Sequence, residues 1–266
     1  MKKEELKTQL DSVLPRLFAF SKSLIIDELH AEQLVLDSLT VFLVAEKNFL
    51  SDMSFDPLDK NDRIEVKKYL LKNLLVQIYE LALKRAPHLL KSSTEHFEFK
   101  NFYSLSTQKR AILYLKEIAQ YNVEDLQQLF NIKRHEIIEL YHNSKYELLK
   151  DRKIVVKREQ SADYLLKSQK SLIDHYINGT LKKIDLDKVE KLIGSTSTLT
   201  DYYQEKLEEK DFIIQIIPNN QITVELQRSL KSGISEVLED IYPQEQLSTI
   251  GRVKSFLETP LFTIEY

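Results

Sequence analysis

Residues 122–150 read NVEDLQQLFNIKRHEIIELYHNSKYELLK, and their reading decides the fold. Asn122 followed by Asp125 has the reciprocal arrangement that starts a helix, here over Val123–Phe130. Asn131 and Ile132 make a turn, and helical periodicity resumes from Lys133 to about Lys150. Short helix, tight turn and longer helix are the outline of a helix-turn-helix. At about 100° per residue, Ile137, Leu140, Tyr141, Ser144 and Leu148 form the buried stripe of the longer helix. The opposite face then carries His135, Glu136, Glu139, His142, Asn143, Tyr146 and Lys150, with Lys133, Arg134 and Lys145 on the flanks.

Upstream, Ser106 is placed to cap a helix through Ala111, Ile112, Leu115 and Ile118. Residues 91–103 read as a polar linker. Before it, residues 4–23 read as a helix broken or restarted at Pro15. Ala31–Leu50 reads as a second helix, Ser51–Asp62 as a loop holding Pro57, and Ile64 to about Lys84 as a third, closed near Pro87. Downstream, the β-branched run Ile154–Lys157 reads as a linker or extended segment. Helices resume near Ser161, pause at Asn178–Gly179, and continue through Val189. Thr198 or Thr200 is expected to cap a helix ending before Pro218. A last helix spans about Thr223–Tyr242, and the apolar tail Phe262–Tyr266 reads as a short strand or a packed end.

Composition agrees with an all-α chain. Only four glycines occur in 266 residues, the first at Gly179, which leaves little room for hairpins or phosphate-cradling loops. Charged residues make up 30 %, as solvated helix faces require. With no cysteine, the chain can form neither a disulfide nor a thiolate metal site. Without a long apolar run or a signal-peptide core, it reads as cytoplasmic with no membrane contact. Residues 1–160 carry 26 basic against 24 acidic side chains, and residues 161–266 carry 12 against 17, so an acidic last part follows a nearly neutral first part. Dedicated DNA-binding domains are more basic than either.

Two blocks of the chain resemble sigma factors of the extracytoplasmic-function class. Ala31-Glu-Gln-Leu-Val-Leu-Asp37 is similar to the family's polymerase-binding helix, and Val66–Leu81 to the helix after it. Leu105–Leu149 resembles the family's promoter-reading domain, with Leu105-Ser-Thr-Gln-Lys-Arg-Ala-Ile-Leu as its opening helix and Val123-Glu-Asp-Leu-Gln-Gln-Leu-Phe-Asn-Ile as the first half of the motif. A third block, about 165–243, resembles an anti-sigma domain through Leu172-Ile-Asp-His-Tyr-Ile-Asn-Gly-Thr-Leu. Where many of its relatives ligate zinc, this chain has Lys191, Ser195 and Thr198, so zinc binding and thiol-based sensing are not expected.

The resemblance implies three units: a sigma region-two-like domain over 1–92, a helix-turn-helix region-four-like domain over 101–153 and an anti-sigma-like domain over 163–266. It implies core RNA polymerase and promoter DNA as partners, and contact between the sigma-like and anti-sigma-like parts of the same chain. Glu32 and Asp37 become polymerase-contact candidates, and Lys133, Arg134, His135, His142 and Lys145 DNA-contact candidates. Two features depart from the pattern. Glu136 and Glu139 share the face that would meet phosphates, which opposes DNA binding, and Leu36 stands where the family tends to be polar.

No catalytic constellation stands out. His135-Glu-Ile-Ile-Glu139 lacks the second histidine of the zinc-protease helix. A metal site built on His135, Glu139 and His142 would need an outside group to fix it, and a metal-dependent hydrolase would need His135 and His142 to line a pocket. The pairs Asp185/Asp187 and Glu208/Glu209 lie in charge-rich faces without the apolar setting that separates two carboxyl pKa values. The reading is therefore a non-enzymatic regulator without cofactor or metal, and the alternative is an adaptor that keeps the sigma fold but reads no promoter.

Overall fold

Leu6, Leu10, Val13, Leu14, Leu17 and Phe18 recur at helical spacing, and all are buried. They build α1 (Lys3–Leu24), which runs unbroken through Pro15. A proline in a helix interior costs roughly 3 kcal/mol. Burying each Leu or Phe of the stripe contributes roughly 1.5–3 kcal/mol, so the apolar residues on both sides of Pro15 outweigh the lost backbone bond. The expected break does not occur.

The structure, a computed structural model, describes residues 1–89, 99–150, 164–181, 186–218 and 221–243. Outside them lie the Ile154–Lys157 run, Asp185, the tail Phe262–Tyr266 and residues 91–98 of the expected linker. The regular structure of the described residues is all-α, in eleven helices.

Asp27 caps α2 (Glu28–Asp52) by accepting from the His30 amide. After a connection over 53–59, α3 (Lys60–Leu89) returns along α1 and ends two residues beyond Pro87. The short α4 (Lys100–Ser104) leads to α5 (Thr107–Glu117), whose N-cap is Ser106. Asn122 and Asp125 form the capping box of α6 (Val123–Phe130), and Asn131 at φ 53° turns the chain into α7 (Arg134–Leu149). Asn accepts this left-handed conformation at low cost. The helices α5, α6 and α7 pack on one another, and α5 and α6 also pack on α3.

The remaining helices are α8 (Tyr164–Ile177), α9 (Leu186–Ile193), α10 (Ser197–Ile216) and α11 (Val224–Ile241). Thr196 caps α10, two residues before the earlier of the expected positions; Thr200 instead returns its hydroxyl to Ile193 O and Thr196 O. Thr223 caps α11 as its spacing predicts.

The described parts of 1–92 and 101–153 share one apolar core. One cluster joins α1, α2, α3 and the helix-turn-helix, and takes in Ile213 and Ile217 at the end of α10 and Leu226, Leu230, Ile234 and Leu238 of α11. A second, small cluster of Ile173, Ile177, Val189 and Leu199 holds α8, α9 and the start of α10 together. Arg110 ties the first bundle to the helix-turn-helix. Wholly buried, its guanidinium donates to Leu24 O, Tyr103 O, Leu105 O and the Thr107 hydroxyl. Burial pushes its pKa down to about 10, which leaves it charged at neutral pH.

Candidate functional site

The C-terminal segments meet both of the helices that the sequence singles out. On α2, the first face runs through Glu32 and Leu36 to Lys47. Helix α11 packs against it, with Leu226, Leu230, Ile234 and Leu238 buried at helical spacing. The Ser229 hydroxyl donates to Glu32 Oε1 at 2.5 Å, and the Tyr242 hydroxyl reaches Lys47 O at 3.4 Å. Lys3 with Glu239 at 2.5 Å and Lys231 with Asp11 at 4.0 Å close the flanks toward α1. Asp37, the other polymerase-contact candidate, pairs instead with Arg85 of α3 at 2.5 Å and accepts from Gln33.

Leu36 belongs to this contact. A Cβ built on Gly233 of α11 would lie 2.8 Å from both Leu36 Cδ atoms. An apolar residue at 36 and a glycine at 233 therefore answer each other across the helix pair. The sequence showed Leu36 as a departure from a pattern, but only the approach of α11 gives it a partner.

The second face is on α7. Ile137, Tyr141, Ser144 and Leu148 are buried as expected, and Leu140 is half-buried. Lys133 and His135 are exposed. Arg134, His142 and Lys145 are not free, because α8 and the turn after it cover them. That turn is a Schellman motif: Thr180 N donates to His175 O and Gly179 N to Tyr176 O, with Gly179 at φ +59°. It aims the Thr180 carbonyl at Arg134, which donates to it at 2.9 Å, and the Asn178 side chain at α7. Asn178 Oδ1 accepts from Lys145 Nζ at 2.7 Å and from the Tyr141 hydroxyl at 3.2 Å. The single proton of the Tyr141 hydroxyl is shared between Asn178 Oδ1 and the nearer, buried carboxylate of Glu117.

His142, expected on the open face, turns its ring to that of His175, 6.2 Å away and edge to face. Burial is the reason for this correction: of the face that periodicity leaves outside α7, His142 lies inside the α7–α8 contact, while the other six residues stay exposed. Burial, followed by the charges of Lys145 and His175, holds the His142 pKa below its ordinary value. Burial also lowers Lys145, offset in part by Glu117 and Glu209. Arg134 makes a second, longer contact with Glu124 at 3.4 Å. The contact between α7 and α8 is thus polar and charged, unlike the apolar seat of α11.

What stays open on α7 is Lys133, His135, Glu136, Glu139, Asn143, Tyr146, Glu147 and Lys150. The covered residues hold two of the four lysines and arginines of this segment, Arg134 and Lys145, and the open ones hold its three carboxylates. His135 sits 3.8 Å from Glu136 and is 73 % exposed, while His142 faces His175, so the two histidines do not line one pocket. Among the described residues no group of three or more His, Asp or Glu is arranged to hold a metal ion, and no helix is long and apolar enough to cross a membrane. The chain matches no protein-family model, no curated protein and no solved structure.

Sequence reasoning missed Asn178, Thr180, Ser229 and Gly233. The pair Asn178–Gly179 did mark a helix end, which is the local signal of a Schellman turn. Where that turn points is a tertiary fact.

The lowered pKa of His142 makes the cover sensitive to acid. Above the ordinary histidine pKa near 6.5 the ring is neutral whether α8 is docked or open, and docking pays no penalty. As pH falls through that value the open state takes up a proton first, so docking weakens until the docked state also titrates. Amide protection factors of α8 are expected to be lower at pH 5.5 than at pH 7.5. In the His142→Gln chain this difference is expected to shrink; an unchanged difference would place the titrating group elsewhere.

Proposed function

We propose that this chain is a sigma-factor-like transcription regulator held inactive by its own C-terminal helices, and not an enzyme. One observation carries the reading: α11 engages Glu32 on the face that the resemblance assigns to polymerase, and the end of α8 with its turn engages three of the five residues that it assigns to DNA, Arg134, His142 and Lys145. Glu32 is engaged by Ser229, and Arg134 and Lys145 are engaged by Thr180 and Asn178. A covalently linked cover acts at high effective concentration, so the masked state dominates until a partner or signal displaces it.

Gly233 offers a way to lift α11 without altering α2. A phenyl ring at 233 cannot be accommodated where even a Cβ comes within 2.8 Å of Leu36, and overpacking of this kind costs roughly 1–3 kcal/mol. The atoms met are the ends of a flexible side chain, so Gly233→Ala is expected to remain closed. Core RNA polymerase is expected to retain full-length Gly233→Phe protein and to leave the wild type and Gly233→Ala in the flow-through. Equal retention of all three would dispose of masking. Retention of none, with α11 shown to be displaced by hydrogen exchange, would dispose of the polymerase.

The second reading, an adaptor that keeps the sigma fold without promoter recognition, is favoured by the open face of α7. Glu136, Glu139 and Glu147 outnumber Lys133 and Lys150 there. Val41 and Val44 are also exposed on α2 and offer apolar surface to a protein partner.

A further inference from the structure

A cavity of about 710 Å³ opens between α1, α3 and α5. Phe20, Leu71, Leu75, Leu115 and Ile118 supply an apolar wall. The polar groups are few: Arg16, Tyr114, Gln120, Tyr121 and Gln221. An apolar chamber of several hundred Å³ with a small number of polar groups has the make-up of a small-molecule site.

Arg16 is exposed, and among the described residues it makes no hydrogen bond or ion pair. Its neighbour Leu17 is buried in the core, so the guanidinium rides on a fixed helix. Burial pushes the Tyr121 phenol up, the positive charge of Arg16 offsets part of that push, and the Asp125 carboxylate adds to it. Neither the Tyr114 nor the Tyr121 hydroxyl has a hydrogen-bond partner among the described residues. The cavity thus combines an unpaired cation and two free hydroxyls with an apolar interior. That set complements a ligand carrying one anionic head on an apolar body.

We propose that this cavity binds a small carboxylic acid with an apolar body, its tail against Leu71, Leu75 and Ile118 and its carboxylate at Arg16, with the Tyr121 hydroxyl as second donor. Gln221 and Ile222, which lead into α11, form part of the wall. An occupant therefore touches the segment that carries the cover of α2.

The test is calorimetric titration of the full-length chain with decanoate, and with decyltrimethylammonium as a probe of the same tail and opposite charge. Decanoate is expected to bind and the cation to bind at least tenfold more weakly. Arg16→Ala, a change on an exposed position, is expected to weaken decanoate at least tenfold while leaving the circular dichroism spectrum unchanged. Leu75→Trp, which fills the chamber, is expected to abolish binding. No binding of decanoate, equal binding of both probes, or full affinity in Arg16→Ala would each overturn the proposal. Neither polymerase nor DNA enters the measurement, so its failure leaves the masking reading standing, and failure of masking leaves the cavity standing.

Discussion

Replacing Arg110 by alanine is expected to lower the stability of the body formed by α1–α7 by roughly 3–5 kcal/mol. The side chain is wholly buried and meets no carboxylate among the described residues; its partners are the carbonyls of Leu24, Tyr103 and Leu105 and the Thr107 hydroxyl. Leu24 is the last residue of α1, so its carbonyl is one of those a helix end leaves without an intrahelical partner. Tyr103 O lies in the last turn of α4 and Leu105 O in the bend that follows it. One guanidinium thus satisfies acceptors from two segments 80 residues apart, and it also lies over the Tyr103 ring, 5.8 Å from its centre. Alanine would leave these acceptors buried without donors and open a cavity as large as the side chain. Each unsatisfied buried group costs about 1–3 kcal/mol, and water entry or relaxation would recover part of the sum. Urea denaturation reads this as a lower midpoint at unchanged m-value. Lysine at 110 keeps the charge but has three donors on a point-like head and cannot reproduce the planar fork, so Arg110→Lys is expected to recover less than half of the loss. A loss below about 1 kcal/mol for alanine would mean that the four hydrogen bonds do not hold the two parts together.

Much of the all-α architecture is legible in the sequence because its signals are local. Ser106, Asn122 with Asp125, and Thr223 each precede an apolar period, and each caps the helix expected of it. Asn131 marks a left-handed turn for the same reason. Pro15 misleads because its cost is local while its compensation is not: the stripe that keeps α1 straight is stabilised by α2, α3, α5 and α11. The same asymmetry governs the candidate site. Periodicity gives the inward stripe of α7 correctly, but it labels everything else as open. The segment that covers Arg134, His142 and Lys145 lies more than 30 residues on, and no spacing within α7 reports it. Leu36 is the one position where a long-range contact left a trace in the local pattern. An apolar residue where the resemblance expects a polar one, read beside the mid-helix Gly233, is the mark of two helices in close contact.

The two contacts differ in kind, and α8 is expected to lift more readily than α11. Helix α11 is seated by four buried aliphatic side chains in the main core. Helix α8 is held to α7 by hydrogen bonds from Arg134, Lys145 and Tyr141, and its own core is the small cluster of Ile173, Ile177, Val189 and Leu199. Polar interfaces of this type are those across which parts of a chain move.

Asn178→Ala is accordingly expected to release α8 while leaving α1–α7 folded. Asn178 is 7 % exposed, and its Oδ1 is the common acceptor for Lys145 and Tyr141. Tyr141 keeps Glu117 after the change. Lys145 has no other hydrogen-bond acceptor among the described residues, and burial already lowers its pKa. An ammonium left in that setting costs about 2–4 kcal/mol, and the cheapest relief is for α8 to lift and let water in. Amide protection in α8 is expected to fall by about two orders of magnitude, since 1.4 kcal/mol is a factor of ten. Protection in α1 and α3 is expected to hold. Asn178→Asp returns an acceptor of the right reach and is expected to restore it; equal loss in both variants would mean that packing, not the hydrogen bond, seats the turn. Release also exposes Arg134, His142 and Lys145 together. If the masking reading is right, the Asn178→Ala chain gains affinity for duplex DNA, with a salt dependence of about two to three neutralised phosphates. If α8 opens and no DNA is bound, then Glu136, Glu139 and Glu147 outweigh the uncovered cations. The helix-turn-helix is then a surface for proteins, which is what the adaptor reading requires.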